Sequence, residues 1–479
     1  MLYYKLLKSG IAGKFFNVIE SLYLNAKAGV SVNNFLTDWF NVDHGVRQGD
    51  SLSATLFGLY INDVVKDLNQ CEGIVINDKK ITCLLYADDI VLISENENDL
   101  QNMLTKLKSW CYKWRMTVNI DKSKVMHCRN KTQEQSGIIF KYGEKELEYV
   151  QTYKYLGIVI DAFLDYNVTA NMLANSASRA LSALYNKFKF NKGLGYLTYT
   201  KLYNTGIVPI LDYACGIWGY SCFKRSEIIQ NKAIRFFLGV HRFACNLSVN
   251  GDMGWLTCSV RQKLDILRLW NRLLRIDSQR IVKTVFNWDK TLCKNNWSKE
   301  VKMICSEIDL LENFENNMHI SLTLAKERLC SNMCMSWKSE VEIVPKLRLY
   351  QIFKDNYHTE KYVIKVTNRK KRSILAQFRS GILPLSIETG RYQEIPIEYR
   401  LCLFCNRNNI ESEVHFLLHC SFYNDIRYEF FNKIRSLDFY FDLLDDEQKI
   451  VKLMSDDMIK LTADFLTEAF EKRKRHLYL

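Results

Sequence analysis

Proline is nearly absent: the 479 residues contain four, Pro209, Pro345, Pro384 and Pro396, and none falls in the first 200. No proline-rich linker marks a domain boundary, so boundaries have to be read from changes of hydrophobic period. Long apolar runs are missing too. The most apolar stretch, residues 207–220, is broken by Asp212 and two glycines, and the N-terminal MLYYKLLKSG lacks a charged-then-apolar leader pattern. Neither a membrane span nor a targeting segment is expected. The 15 cysteines are an odd number without the dense framework of small secreted domains, which points to a reducing compartment inside the cell. There is no internal repeat, no low-complexity tract and no endonuclease signature.

What the chain does have is bulk and positive charge. With 48% hydrophobic residues it can bury more than one core and should form two or three globular domains. A formal net charge of +13 suits a polyanionic partner, because lysine and arginine gain affinity by displacing counterions from phosphates. Residues 1–160 hold 19 Lys+Arg against 18 Asp+Glu, so +12 of the +13 lies downstream. Any nucleic acid is therefore expected mainly on the second part.

The periodicity is mixed at first and then helical. Residues 11–26 read as a helix, residues 29–49 contain a hairpin (VSVNNFLTDWFNV), and residues 52–68 return to helical spacing with Leu52, Leu56, Leu59, Tyr60 and Val64 on one face. Residues 73–94 read as strands: GIVI, an Asn77-Asp78 turn, ITCLLY, two aspartates, then IVLI. Residues 99–114 are helical again. This is an α+β unit with helices on one face of a small antiparallel sheet. Beyond residue 161 strand signals nearly vanish, and apolar residues keep helix spacing (Leu173, Ala177, Ala180, Leu181, Leu184, Phe188; Ile266, Leu269, Trp270, Leu273, Leu274) with basic residues such as Lys187, Lys189, Arg235, Arg242, Arg268, Arg272 and Arg275 interleaved.

The segment Cys83 to Ser94, CLLYADDIVLIS, carries adjacent Asp88 and Asp89 between apolar runs. Buried side by side they would cost several kcal/mol each, and a divalent cation with hard oxygen ligands removes that cost. The alternative is a plain hairpin turn, where aspartate satisfies its own backbone. The surroundings decide between them. Upstream lies GVRQGDSLSATLF (45–57), whose two glycines bracket Arg47 and Gln48 and where Ser51 or Ser53 can cap the next helix. Downstream come WCYKWRMTVNIDKSKVM (110–126) and YKYLG (153–157).

In this order the blocks resemble the non-LTR, LINE-type retrotransposon reverse transcriptases, C-terminal part. Residues 211–220 (LDYACGIWGY), 233–242 (AIRFFLGVHR) and 375–389 (LAQFRSGILPLSIET) are similar to the region that follows the polymerase in such elements. The resemblance implies a right-hand palm with an antiparallel sheet, in which Asp88 and Asp89 present carboxylates to two magnesium ions on the order of 3.5–4 Å apart. It implies that Arg47, Gln48 and Gly49 lie against the nucleotide or template. Tyr155, Leu156 and Gly157 would grip the primer, and Lys122 or Lys124 (Lys124 by preference) would protonate the leaving pyrophosphate. RNA template, DNA primer and deoxynucleoside triphosphates are the implied partners, in the nucleus or a cytoplasmic ribonucleoprotein.

The family's first catalytic carboxylate, in a motif ending Ala-Phe-Asp before a helix like that at residues 2–9, is not among these residues. The chain reads as starting just after it, so polymerisation by these 479 residues alone is not expected. Asp50-Ser51 and Ala54 also stand where the family often has proline. The alternative function is a non-catalytic remnant that binds RNA or DNA through its basic helical domain and a C-terminal zinc segment.

Near the end, Cys402, Cys405, His415 and Cys420 form C-x2-C-x9-H-x4-C. Three thiolates and an imidazole complete a tetrahedral structural zinc site, with His419 as a competing ligand. The expected division is a partial palm (1–160), a helical thumb-like domain (161–290), a helical connector (291–395), the zinc segment (396–430) and a C-terminal helical segment (431–479). Two basic runs, RKKR (369–372) and KRKR (472–475), read as phosphate contacts, a nuclear address or solvated helix ends.

Overall fold

The computed structural model describes every residue except 25, 34, 43, 44, 48, 222, 406, 407, 478 and 479. The chain divides into two compact units, Met1–Asp165 with Ile276–Leu292, and Tyr166–Arg275 with Cys293–Leu479. It is a mixture of helices and small sheets, and among the described residues no helix is long and apolar enough to cross a membrane.

In the first unit the expected helices form at Leu2–Lys8, Gly13–Leu24 and Glu97–Trp114. The third has sharp ends for local reasons. The Asn96 side chain accepts from the Asp99 backbone N–H at its start, and Arg115 turns left-handed at its end. The helix expected over 52–68 is two helices, Ser53–Ile61 and Val64–Leu68, because the bonding tightens to an i+3 step at the junction, where Lys66 N bonds to Asp63 O. Neither Ser51 nor Ser53 caps it. The Asp50 carboxylate accepts from Leu52 N just before the helix, while Ser53 Oγ bonds back to the Arg47 carbonyl. Ile61, Val64, Leu68, Met103, Leu107, Trp110 and Trp114 form the unit's main core.

The strands do not assemble into the single small sheet expected. Among the described residues they pair as seven two-stranded ladders, of which Lys124–Val125 with Glu148–Tyr149 is the parallel one. Strands of two to four residues leave little ladder to extend. The hairpin at Asn77-Asp78 forms as read, with both turn residues at positive φ. The helix Ile281–Leu292, expected with the thumb-like part, packs instead with strand Ile74–Ile76 of the first unit.

A buried ammonium ties this unit together. Lys5, 4% exposed, sits 3.7 Å from the Trp114 ring centre, 4.5 Å from Tyr60 and 4.6 Å from Trp110. Its charge is met by Asp63 Oδ1 at 2.7 Å, which also accepts from Trp110 Nε1 at 3.1 Å. Burial pushes the Lys5 pKa down against the pull of Asp63. Lys5→Met keeps the stem and deletes the charge, and it is expected to destabilise this unit by about 2 kcal/mol. Urea unfolding followed by tryptophan fluorescence checks this, and an unchanged midpoint would mean that Lys5 acts by packing alone.

The second unit is helical, and no strand lies beyond residue 161 among the described residues. The helix Asn167–Phe190 buries Leu173, Ala177, Leu181, Leu184 and Phe188, as its spacing predicts, against Lys224–Leu238. Helix Cys258–Arg275 buries Ile266, Trp270 and Leu273 and leaves Arg268, Arg272 and Arg275 exposed. Deeper in, Asp252, Arg379, Tyr350 and Tyr362 form a buried polar cluster that no local pattern marks.

Candidate active site and metal centre

Strands Cys83–Tyr86 and Asp89–Leu92 pair antiparallel with Tyr86 opposite Asp89, so Ala87 and Asp88 are the whole loop. Ala87 has φ 50° and Asp88 is not at positive φ, the pattern of a II′ hairpin turn with alanine where glycine is usual. Such a residue costs of order 1–3 kcal/mol and persists only where the surroundings hold it. They do: Cys83, Leu85, Ile90 and Leu92 root the hairpin in the unit's core. At the tip Asp88 and Asp89 are exposed. The burial penalty inferred from the sequence therefore does not operate, and the turn and the carboxylate site are the same feature. Among the described residues neither aspartate is ion-paired with lysine or arginine, which leaves both free to meet a cation.

The other expected site residues divide. Tyr155 ends the strand Thr152–Tyr155, which pairs with Ile158–Asp161 across a Leu156-Gly157 turn with both residues at positive φ. Burial first, and then the charge of Asp89, pushes the Tyr155 phenol up. Lys124 is engaged elsewhere: its Nζ lies 2.7 Å from Glu148 Oε2, its partner in the parallel ladder. Lys122 contributes its carbonyl to Tyr153 Oη at 3.0 Å. Arg47 is exposed, with its guanidinium 5.8 Å from the Tyr23 ring centre. Gly49, at φ 85°, has nothing within 4 Å of where a Cβ would lie. Gln48 lies outside the described residues.

The Cys-His set closes into one cluster. The ligand atoms of Cys402, Cys405, His415 and Cys420 are all buried and within 4.8 Å of one another. Cys402 Sγ and Cys420 Sγ are 3.7 Å apart, and Cys405 Sγ is 3.4 Å from His415 Nε2. A tetrahedral zinc with bonds of about 2.3 Å to sulfur and about 2.0–2.1 Å to nitrogen sets those separations near about 3.8 and 3.5 Å. The residues fit the ion. The hydrogen bond with Cys420, and then burial, holds the Cys402 thiol up at about 12, and the same bond pulls Cys420 down.

A local irregularity brings the last two ligands together. His415 and Cys420 are five residues apart, which an α-helix would set about 140° around its axis. Residues His415–His419 instead form a π turn closed by Cys420 N to His415 O at 2.8 Å, and the wider turn brings i and i+5 onto one side. Buried Arg427 fixes it by donating to the carbonyls of Phe416, Leu417 and Cys420. His419 is not a ligand, because its Nε2 lies 2.7 Å from Asp446 Oδ2 at the surface.

The basic runs are largely consumed by packing. Arg372 is buried, donating to the Phe237 and Val366 carbonyls, while Lys370 and Lys371 pair with Glu471 and Asp464. In the second run Lys472 pairs with Asp425 and Arg473 is buried on Glu411, leaving Lys474 and Arg475 exposed. The reading of either run as an open phosphate-binding or address segment gives way to this. Glu411 was missed in the sequence because its partner lies 62 residues away.

Comparison with known proteins agrees with the motifs. Residues 2–160 match the family model described as "Reverse transcriptase (RNA-dependent DNA polymerase)". The chain is 23% identical over 255 residues to the RNA-directed DNA polymerase from mobile element jockey of Drosophila funebris, covering 51% of this chain and 27% of that protein. It is 23% identical over 256 residues to the probable RNA-directed DNA polymerase from transposon X-element of Drosophila melanogaster, covering 52% and 27%. A Pol polyprotein from the type-1 retrotransposable element R2 of Nasonia vitripennis is 27% identical over 175 residues, covering 35% and 17%. The matched region thus spans about a quarter or less of these relatives. Motifs and the family match together place a reverse transcriptase domain at residues 2–160, and the relatives it is similar to are polymerases of non-LTR, LINE-type retrotransposons.

Proposed function

We propose that the first unit is part of the palm of an RNA-directed DNA polymerase and that Asp88 and Asp89 are two of the three carboxylates of a two-magnesium nucleotidyl-transfer site. The observation that carries this reading is the pair of exposed carboxylates, not ion-paired with lysine or arginine among the described residues, on a core-rooted two-residue turn. Hard oxygen donors open to solvent suit magnesium, which keeps waters and substrate phosphates among its ligands. Magnesium held there would activate a primer hydroxyl and offset triphosphate charge. Arg47 and Gly49 face nucleotide or template, and the Tyr155-Leu156-Gly157 turn holds the primer. The fourfold-coordinated Cys402, Cys405, His415 and Cys420 site holds a structural zinc with no open position for chemistry. The second unit is the thumb and post-polymerase region.

By themselves these 479 residues supply two of three carboxylates, and they are expected to bind an RNA–DNA hybrid in a salt-sensitive way without extending its primer. Primer extension on an RNA template with magnesium and four deoxynucleoside triphosphates tests this. The expected product does not exceed that of Asp88→Ala. Product that Asp88→Ala abolishes would show that the two aspartates suffice. The rival reading is a non-catalytic remnant that binds RNA or DNA through its basic helical domain and zinc segment; the exposed Arg268, Arg272 and Arg275 are compatible with it, and nucleic-acid binding without Mn2+ or Mg2+ dependence at Asp88 and Asp89 would favour it.

A further inference from the structure

Beside the zinc ligands lies a buried acid that binds no metal. Glu411 is 1% exposed, and its Oε1 is 3.9 Å from Cys402 Sγ. Its Oε2 accepts from both the backbone N–H and the hydroxyl of Ser386, each at 2.7 Å. Arg473 forks onto both carboxylate oxygens, with Nη2 to Oε2 at 3.1 Å, and also donates to the Pro384 carbonyl at 3.0 Å.

Arg473 belongs to the C-terminal helix Ile459–Leu477, and that helix closes on the ligand turn with more than one side chain. The Arg473 guanidinium is 4.3 Å from the ring centre of Phe404, the residue just before Cys405. The His476 ring packs against Phe404 and Phe422 at 5.7 and 5.1 Å. Lys472 Nζ lies 5.0 Å from the Phe422 ring centre. Phe404 sits between two ligands and Phe422 two residues after a third, so an ion that fixes the ligands also fixes the surface under this end of the helix.

We propose that Glu411 and Arg473 are positioning residues of the metal centre and that, through them, metal occupancy and the docking of residues 471–477 are one coupled event. This rests on the zinc reading of the four ligands. The charges give the direction. Arg473 offsets a carboxylate that would otherwise stand beside the Cys402 thiolate and disfavour it. Coupling is reciprocal, so whatever loosens the helix end weakens the metal, and removal of the metal loosens the helix end.

The test uses the full chain. Arg473→Met strands Glu411 beside Cys402, and zinc affinity, measured by competition with a chromophoric chelator, is expected to fall about 10–100-fold. Arg473→Lys, which keeps the charge, is expected to recover most of it. In the unsubstituted protein, stripping the zinc is expected to speed hydrogen exchange in residues 471–477 well beyond residues 459–466 of the same helix. That arm decides even if the variants fail to fold. Full affinity in Arg473→Met, or exchange at 471–477 that ignores the metal, overturns the inference while leaving the zinc site standing. A wild-type chain that takes up no zinc overturns both.

Discussion

Replacing Asp252 by alanine is expected to destabilise the second unit by about 3–5 kcal/mol, because it strips the bidentate, fully buried partner from an arginine with no access to water and leaves it only Glu360. Asp252 is 1% exposed on the helix Asn246–Met253, and Arg379 is equally buried at the end of Arg369–Arg379. The pair is bidentate, Nε to Oδ2 at 2.9 Å and Nη2 to Oδ1 at 2.8 Å. Tyr350 and Tyr362 donate to the same carboxylate at 3.1 and 2.8 Å, and burial, with Asp252 next, pushes both phenols well up. Glu360 Oε2 at 3.0 Å from Arg379 Nη2 extends the network to Lys354. Asp252→Asn keeps the shape and an acceptor while losing the charge, so a smaller loss is expected from it. Urea unfolding of the three proteins checks the order. A midpoint for Asp252→Ala within about 1 kcal/mol of the parent would show that the guanidinium is satisfied without this partner.

The second large effect is loss of the metal. Cys402, Cys405 and Cys420 belong to the main apolar core of the second unit, so an ion held there would brace a wall of that core. In isolated zinc-binding peptides the apparent binding free energy is about 10–16 kcal/mol. Here the surrounding helices retain part of the fold, so the expected result is local: Cys420→Ser or chelation opens residues 400–423 to protease and exchange and lowers the melting point of the second unit. Acid works in the same direction, because each thiol must lose its proton to bind and protons compete as the pH falls. A chain that is chelated, or carries Cys420→Ser, and melts like the parent would contradict a structural role.

What the sequence revealed was whatever a short window can encode. Helical spacing over 99–114 marks most of Glu97–Trp114, Asn77-Asp78 marks a turn, and Cys402, Cys405, His415 and Cys420 carry their own spacing. The aspartate hairpin was legible as a motif, while its exposure was not, because strand pairing rather than composition lifts Asp88 and Asp89 to the tip. Lys124 was chosen by its place in a motif, yet a parallel ladder of two residues gives its ammonium to Glu148. The interactions that hold the units together escaped notice for one reason. Lys5 with Asp63, Asp252 with Arg379 and Glu411 with Arg473 are 58, 127 and 62 residues apart, and a charged residue read alone is indistinguishable from a solvated one.

The central claim is that the Ala87-Asp88 turn presents a divalent-metal site for nucleotide chemistry. The most direct measurement is Mn2+ binding by electron paramagnetic resonance, in the presence of an RNA–DNA hybrid and a deoxynucleoside triphosphate, for the parent and for Asp88→Asn with Asp89→Asn. The account predicts bound Mn2+ in the parent and its loss in the double variant. Equal Mn2+ binding by the two would contradict it.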